Sequence, residues 1–171
     1  MIEHASMTVR FTVDRGVSHE LVRHRVASWA QESSRYCNYN KDKFGNEVTV
    51  IEPVFYKDIP EERKLAIQNM FTKEFKQPSD LIDTLNDLEK RYADWFYACY
   101  VACESYIEMI DCGATAQEAR DVLPTSTKTE VVMTANIREM RHFLKLRAAG
   151  TTGAPHPQMV EVTLPLLRRY D

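Results

Sequence analysis

The sequence has no long apolar run. No uninterrupted stretch approaches the roughly 20 residues that a membrane-spanning helix needs, which excludes a helical membrane protein. The opening MIEHASMTVR carries an acid and a histidine and no apolar segment, so it does not read as a secretory signal. Excess positive charge is also missing: 22 Lys and Arg stand against 25 Asp and Glu, a net charge of −3. General nucleic-acid coats and anionic-membrane binders are usually basic, so neither a nucleic-acid polymer nor a membrane is an expected partner. Cysteine pairing of the CxxC kind is absent among Cys37, Cys99, Cys103 and Cys112, which argues against a zinc knuckle or a thioredoxin-type pair. Cys99 and Cys103 could supply half a metal site, but no second pair of ligands is evident nearby. Packing as small apolar residues is the better reading, and no metal is expected. Reduced thiols and a cytoplasmic home follow from the same absence of a secretion signal. Dinucleotide-binding GxGxxG, the P-loop, the GxSxG elbow and HExxH are all lacking, and no carboxylate pair sits in an obvious acid–base context. An enzyme of this composition would draw its chemistry from a bound cofactor, with arginines placing anionic ligands.

What is present is an ordinary soluble mixture. The 171 residues are 44% hydrophobic and 27% charged, enough for one domain with a real core. Residues 5–13 alternate, with Met7, Val9, Phe11 and Val13 on one side and Thr8, Arg10 and Thr12 on the other, which predicts a strand with one buried face. Asp14-Arg15-Gly16 is turn chemistry, and Ser18 is placed to cap a helix from near His19 to about Ser33. Residues 38–46 read as a loop and 48–51 as a short strand. Residues 60–71 read as a helix with Pro60 in its first turn. Pro78-Ser79-Asp80 opens the longest helix, whose stripe of Leu81, Leu85, Leu88, Tyr92, Trp95, Cys99, Cys103, Tyr106 and Ile110 predicts a core element closed by Gly113. Its aromatic residues are better read as packing than as a cofactor box. A short helix over 115–122, a strand over 129–134 and a helix over 136–147 follow. The loop GTTGAPHP then leads to a last helix over 158–170, which Pro165 should kink or break. The expected fold is α/β of the α+β kind: one domain, 1–171, with a small, mostly antiparallel sheet packed with a long core helix and several shorter helices.

Three stretches could carry chemistry. Arg23-His24-Arg25 puts three cationic or titratable side chains in a row. On a helix, successive residues point about 100° apart, so the two arginines would grip two anions, or one anion from two sides. Ser33, Ser34 and Arg35 add hydroxyls and a guanidinium suited to phosphate. The plain alternative is a solvated basic face paired with Glu20 and Glu32. The second stretch, Arg120 before Leu123-Pro124, means little alone. In the third, Asn136 is a natural helix cap, and Arg138 and His142 share a face, running on to Arg147. Its plain alternative is a capped amphipathic surface helix.

Taken in order, these stretches resemble the flavin-dependent thymidylate synthases. That family has RHR, seven residues and then Ser, matched by RHRVASWAQES from Arg23 to Ser33 and continuing to Arg35 and Tyr36. It has an Arg before Leu-Pro, matched by Arg120, Leu123 and Pro124. It also has Thr-x-Asn-x-Arg running into a helix that ends Leu-Arg, matched by Thr134, Asn136, Arg138, Leu146 and Arg147. The resemblance covers essentially the whole chain. It implies reductive methylation of dUMP at C5 to dTMP, with methylenetetrahydrofolate as carbon donor and NADPH-reduced FAD as hydride carrier. It implies no cysteine nucleophile, which agrees with Cys37 lacking a neighbouring base. Self-association as a homotetramer, with each active site assembled from several subunits, is implied as well.

The resemblance also assigns residues. Glu20, Arg23, Gln31, Glu32, Ser33, Ser34, Arg35, Arg120 and Arg147 match the dUMP site, and Arg147 matches the arginine that favours ionisation of the uracil ring. His24, Arg25, Val26, Gln31, Asn136, Arg138 and His142 match flavin contacts. Glu20 stands where many members have Gln, Gln31 where many have Glu, and Ala30 where Asn is common. Members usually carry an N-terminal segment before the pair seen here as Glu3-His4, so either an N-terminally short member or a fragment of one is expected. The loop 150–157 is longer than the usual link and leaves His156 without an assigned role. Two competing readings are a non-catalytic flavin or nucleotide binder and an Arg-rich RNA-binding module. The acidic balance argues against the second.

Overall fold

The computed structural model describes residues 1–41, 45, 47–72 and 83–170. Those residues divide into two compact units, 1–33 with 125–171 and 34–124, each described separately below.

The first unit is built on a three-stranded antiparallel sheet. Strand β1 (Ser6–Asp14) and strand β2 (Ser28–Gln31) flank the central β3 (Lys128–Asn136). Register runs from Ser6 opposite Asn136 to Asp14 opposite Lys128, and from Ser28 opposite Thr134 to Gln31 opposite Val131. The predicted alternation holds. Phe11 and Val13 are buried, with Met7 and Val9 half-buried, and they face Val131, Met133, Ala135 and Thr129 of β3. The opposite face is polar, with a Thr8–Thr134 hydroxyl pair at 2.9 Å and an Arg10–Glu130 ion pair.

Three helices cover the apolar face. These are α1 (Arg15–Leu21), α5 (Ile137–Arg147) and α6 (Pro157–Tyr170). Val17 and Leu21 of α1, Met140, Phe143 and Leu144 of α5, and Met159 of α6 join the sheet residues in one apolar cluster. Phe143 is fully buried against Phe11, at 6.0 Å between ring centres. Burying such side chains contributes about 2 kcal/mol each. Asn136 caps α5 as expected, accepting from the Glu139 amide at 2.9 Å. Helix α6 continues through Pro165 instead of breaking there. The Thr163 hydroxyl lies 2.9 Å from the Arg147 carbonyl and so satisfies the end of α5.

The helix expected from His19 to Ser33 does not form. Asp14, not Ser18, is its cap, accepting from the Val17 amide at 2.7 Å, so the helix starts four residues earlier and ends at Leu21. Ser18 instead donates back to the Arg15 carbonyl at 2.9 Å. Residues 28–31 exchange backbone hydrogen bonds with β3, and that ladder outweighs a helix propensity of only tenths of a kcal/mol per residue. The RHR segment is therefore the bend between α1 and β2.

The second unit is helical. It contains α2 (Glu61–Phe71), the long α3 (Asp87–Asp111) and the short α4 (Ala116–Ala119). A single 3-10 turn over Arg120–Val122 follows α4. Helix α3 opens with a capping box in which Asn86 accepts from the Glu89 amide while Glu89 accepts from the Asn86 amide, both at 3.0 Å. Residues 78–82, where a start was expected, lie outside the described residues. From Leu85 onward the predicted stripe is buried or half-buried, and its aromatic rings pack. Tyr92 lies 5.3 Å from Tyr56 and 5.7 Å from Trp95. Two clusters result, one around Ile59, Ile67 and Tyr92, the other around Tyr39, Tyr106 and Ala119. Gly113, at φ +94°, ends α3 as expected. Residues 48–51 form no strand beyond one bridge residue at Val50.

Candidate active site

The bend after α1 and one side of α5 face each other across a cleft of about 560 Å³ in the first unit. Arg23, His24, Arg25 and Val26 line it from the bend, and Glu139, His142, Leu146 and Arg147 line it from the helix. The loop after α5 closes it with residues 152–155. Gly150 and Gly153 shape that loop with φ of +63° and +137°. A Cβ on Gly150 would also meet the Gly153 carbonyl oxygen at 3.1 Å, so larger residues are disfavoured there.

The back wall is a fixed polar network. His24 is buried, its ring edge against Phe143 at 4.9 Å. Its Nε2 accepts from Arg147 Nε at 3.0 Å, and its Nδ1 is 3.9 Å from Glu139 Oε1. Arg147 also donates from Nη1 to Glu20 Oε2 at 2.9 Å and from Nη2 to the Glu20 carbonyl at 3.2 Å. Burial, and after it the nearby Arg147 guanidinium and His142, hold the His24 pKa down to about 4. At neutral pH the imidazole is therefore neutral, and its Nε2 lone pair faces a guanidinium. The position of Arg147 in the last turn of α5 suits a cation, because free carbonyls accumulate there.

The front of the cleft is different. Arg23 and Arg25 are exposed, and no ion pair engages their side chains among the described residues. Val26, 70% exposed, supplies an apolar lip. His142 is exposed on the α5 wall.

The remaining expected residues are placed as follows. The Gln31 amide donates to Ser18 Oγ at 2.9 Å and reaches Thr129 Oγ1 at 3.4 Å, and the Glu32 amide extends the ladder to Glu130 at 3.0 Å. The Asn136 side chain is the α5 cap, and Arg138 pairs with Glu3. Ser33 ends the first unit, while Ser34, Arg35 and Arg120 belong to the second. Arg35 donates to Gln117 Oε1 at 2.9 Å, with its guanidinium 5.4 Å from the Tyr36 ring centre. Arg120 Nε is buried with no hydrogen-bond partner among the described residues, and Asp121 Oδ1 lies 3.8 Å from it. Burial pushes the Cys103 thiol up to about 11, so that thiol is inert at neutral pH. Among the described residues no group of three or more His, Cys, Asp or Glu could hold a metal ion. No helix among them is long and apolar enough to cross a membrane.

Comparison with known proteins decides the family. The family described as thymidylate synthase complementing protein matches residues 1–169. The chain belongs to that family. Flavin-dependent thymidylate synthases of Geobacter sulfurreducens and Pyrococcus horikoshii are 30% and 33% identical over 148 and 150 residues. Each match covers 86% of this chain but 50% and 48% of the relative, so the chain spans about half the length of these curated relatives. A UMP/dUMP methylase from Streptomyces cacaoi, solved with 5-Br dUMP, matches at TM-score 0.69 with 26% identity, covering 99% of this chain and 67% of that one. A Helicobacter pylori flavin-dependent thymidylate synthase, solved with FAD and dUMP, shares the fold at TM-score 0.61 and 24% identity, covering 98% of this chain and 68% of that one. The mixed α/β fold with a small antiparallel sheet is thus the family's fold.

Within this member, the family motifs supply Arg23, His24, Arg25, Val26, His142 and Arg147 to one cleft. Sequence reasoning missed Glu139 and residues 152–155. Glu139 had a signal, an acid three positions after a helix-capping Asn, but that signal speaks of the helix and not of the cleft. The Gly- and Pro-rich run 150–157 signals a loop but carries no spacing that points to the cleft.

Proposed function

We propose that this protein acts as a flavin-dependent thymidylate synthase, replacing the C5 hydrogen of dUMP with a methyl group. The methylene carbon comes from methylenetetrahydrofolate, a hydride originating on NADPH completes the methyl group, and the C5 hydrogen leaves as a proton. The observation that carries the reading is the convergence of two family motifs on one cleft. His24 and Arg147, 123 positions apart, meet there in a hydrogen bond.

The donor set fits FAD and dUMP. Two unpaired guanidiniums suit pyrophosphate or phosphate, and the apolar Val26 and Leu146 suit a flat ring. Arg25, Val26 and His142 would hold FAD, with Asn136 and Arg138 toward its far end. FAD, when bound, supplies the hydride chemistry that side chains lack.

Arg23 binds the dUMP phosphate with Ser33 in the first unit; in the second unit, Ser34, Arg35 and Arg120 are the residues that the family motifs assign to the nucleotide. The unpartnered Arg120 Nε supports that role, because a buried donor without an acceptor is costly until a ligand supplies one. Arg147 holds its positive charge beside the uracil ring and stabilises the anion that develops there, which makes C5 more nucleophilic. His24 does not serve as the acid at neutral pH, because its Nε2 already accepts from Arg147. Homotetramer formation fits ligands that need more arginines than one cleft contains. A cytoplasmic setting fits the four free cysteines.

The test is tritium release from dUMP labelled at C5, in the presence of FAD, NADPH and methylenetetrahydrofolate. Release dependent on all three supports the reading. Nucleotide or flavin binding without release would replace it with a non-catalytic binder.

A further inference from the structure

Arg147 has five N–H donors, as every arginine does. Three are engaged within the first unit: Nε by His24 Nε2 at 3.0 Å, one on Nη1 by Glu20 Oε2 at 2.9 Å, and one on Nη2 by the Glu20 carbonyl at 3.2 Å. One N–H on each Nη remains. The Arg147 carbonyl lies 2.9 Å from the Thr163 hydroxyl, which is also 2.7 Å from the Met159 carbonyl. Glu20 does not line the cleft and reaches it only through the arginine. Its carboxylate is also a poor direct ligand for a nucleotide, since it would repel a phosphate dianion.

We propose that Glu20 and His24 are positioning residues for Arg147. They anchor three of its five donors, so that the guanidinium presents the remaining two to the pyrimidine from a fixed position. This rests on the reading that Arg147 faces the uracil ring, and it gives Glu20 and His24 work different from direct dUMP and flavin contact. The groups facing His24 are Arg147, Glu139 and His142 from α5, with Phe143 beneath the ring. Its neutral form is the one that accepts from Arg147, so the anchor is in place throughout the neutral range.

Steady-state kinetics and a cofactor-free spectrum test the proposal together. Glu20→Ala should lower kcat about 10- to 100-fold, as misplaced catalytic groups do, with KM for dUMP and flavin absorbance changed less than about 3-fold. Glu20→Gln, whose amide oxygen still accepts from Nη1, should recover most of the loss. In an Arg147→Ala background, Glu20→Ala should cost nothing further. A raised KM with intact kcat, a Gln variant as slow as the Ala variant, or losses that multiply in the double variant would each overturn the proposal.

The second readout needs no turnover. In the NMR spectrum of the ligand-free protein, the Arg147 Nε–H signal, identified by its loss in Arg147→Lys, should exchange slowly with solvent. Glu20→Ala should speed that exchange about 10-fold or more, while His24→Gln, which keeps an acceptor near the Nε2 position, should not. Exchange indifferent to Glu20→Ala would contradict the anchoring. If the wild-type protein leaves dUMP unchanged, the functional reading fails, and the NMR result still decides whether Glu20 anchors Arg147.

Discussion

The second unit surrounds its buried charges. Lys64, 5% exposed, is held by Glu52 Oε1 at 2.6 Å and Glu61 Oε1 at 2.9 Å, and Glu89 takes both Arg63 Nε at 2.8 Å and Nη2 at 3.1 Å. The hydrogen bond from Arg63 keeps the Glu89 carboxyl below its usual range, and the one to Glu52 raises Lys64. The cleft of the first unit, by contrast, leaves Arg23 and Arg25 without ion-pair partners among the described residues, while Arg147 on the same cleft has three of its five donors engaged. Paired charges can be explained by the fold alone. Unpaired cations gathered in a concave site ask for an anion that the chain does not supply. Arg147 is the intermediate case, fixed by the fold and still facing the cleft.

The largest effect belongs to Arg147→Ala, which should reduce dTMP formation about 100- to 1,000-fold while FAD remains bound, as removal of one preorganised electrostatic donor does. Loss of flavin along with activity would place Arg147 in the wrong role.

Next in size is a pH effect on stability. The His24 pKa is about 4 in the folded protein and 6.5 for an unperturbed imidazole, so between these limits the unfolded chain binds the extra proton. The contribution is fully present above pH 6.5, declines by up to about 1.4 kcal/mol per pH unit as pH falls toward 4, and then levels off. Denaturant midpoints recorded from pH 7 to 5 should show that slope, and His24→Gln should flatten it.

Arg25→Ala then separates binding from folding. FAD affinity should weaken about 10-fold, one charge-assisted contact, while the thermal midpoint stays put, because surface substitutions without partners rarely exceed about 0.5 kcal/mol. Lys64→Met in the second unit should do the reverse and have the smallest effect. Stability should fall by about 1 kcal/mol, since Glu61 is 89% exposed and only loosely committed, with FAD affinity unchanged.

Much of the fold was legible in the sequence. Met7 to Val13 alternates, and β1 buries that face. Asn136 followed by apolar residues at helical spacing gives α5, and the nine-residue stripe gives α3 from Leu85 onward. These are local signals, in which period and cap lie within one element. The bend at Arg23–Arg25 was not legible, because it forms only when residues 28–31 find β3, about a hundred positions away. The site divides in the same manner. Arg23, Arg25 and Arg147 could be nominated from motifs, but the Glu20–Arg147 and His24–Arg147 bonds join residues 127 and 123 positions apart and leave no spacing to read. The role of Glu139 was masked for a similar reason, since an acid in the first turn of a helix already has a local explanation.

A visible spectrum tests most directly whether this cleft holds a flavin. Purified protein is mixed with FAD, freed of unbound cofactor, and scanned in the visible and near-ultraviolet. Bands of bound oxidised flavin, diminished in Arg25→Ala, are the predicted result. A folded protein that remains colourless at saturating FAD would contradict the claim that the unpaired arginines of this cleft await a flavin.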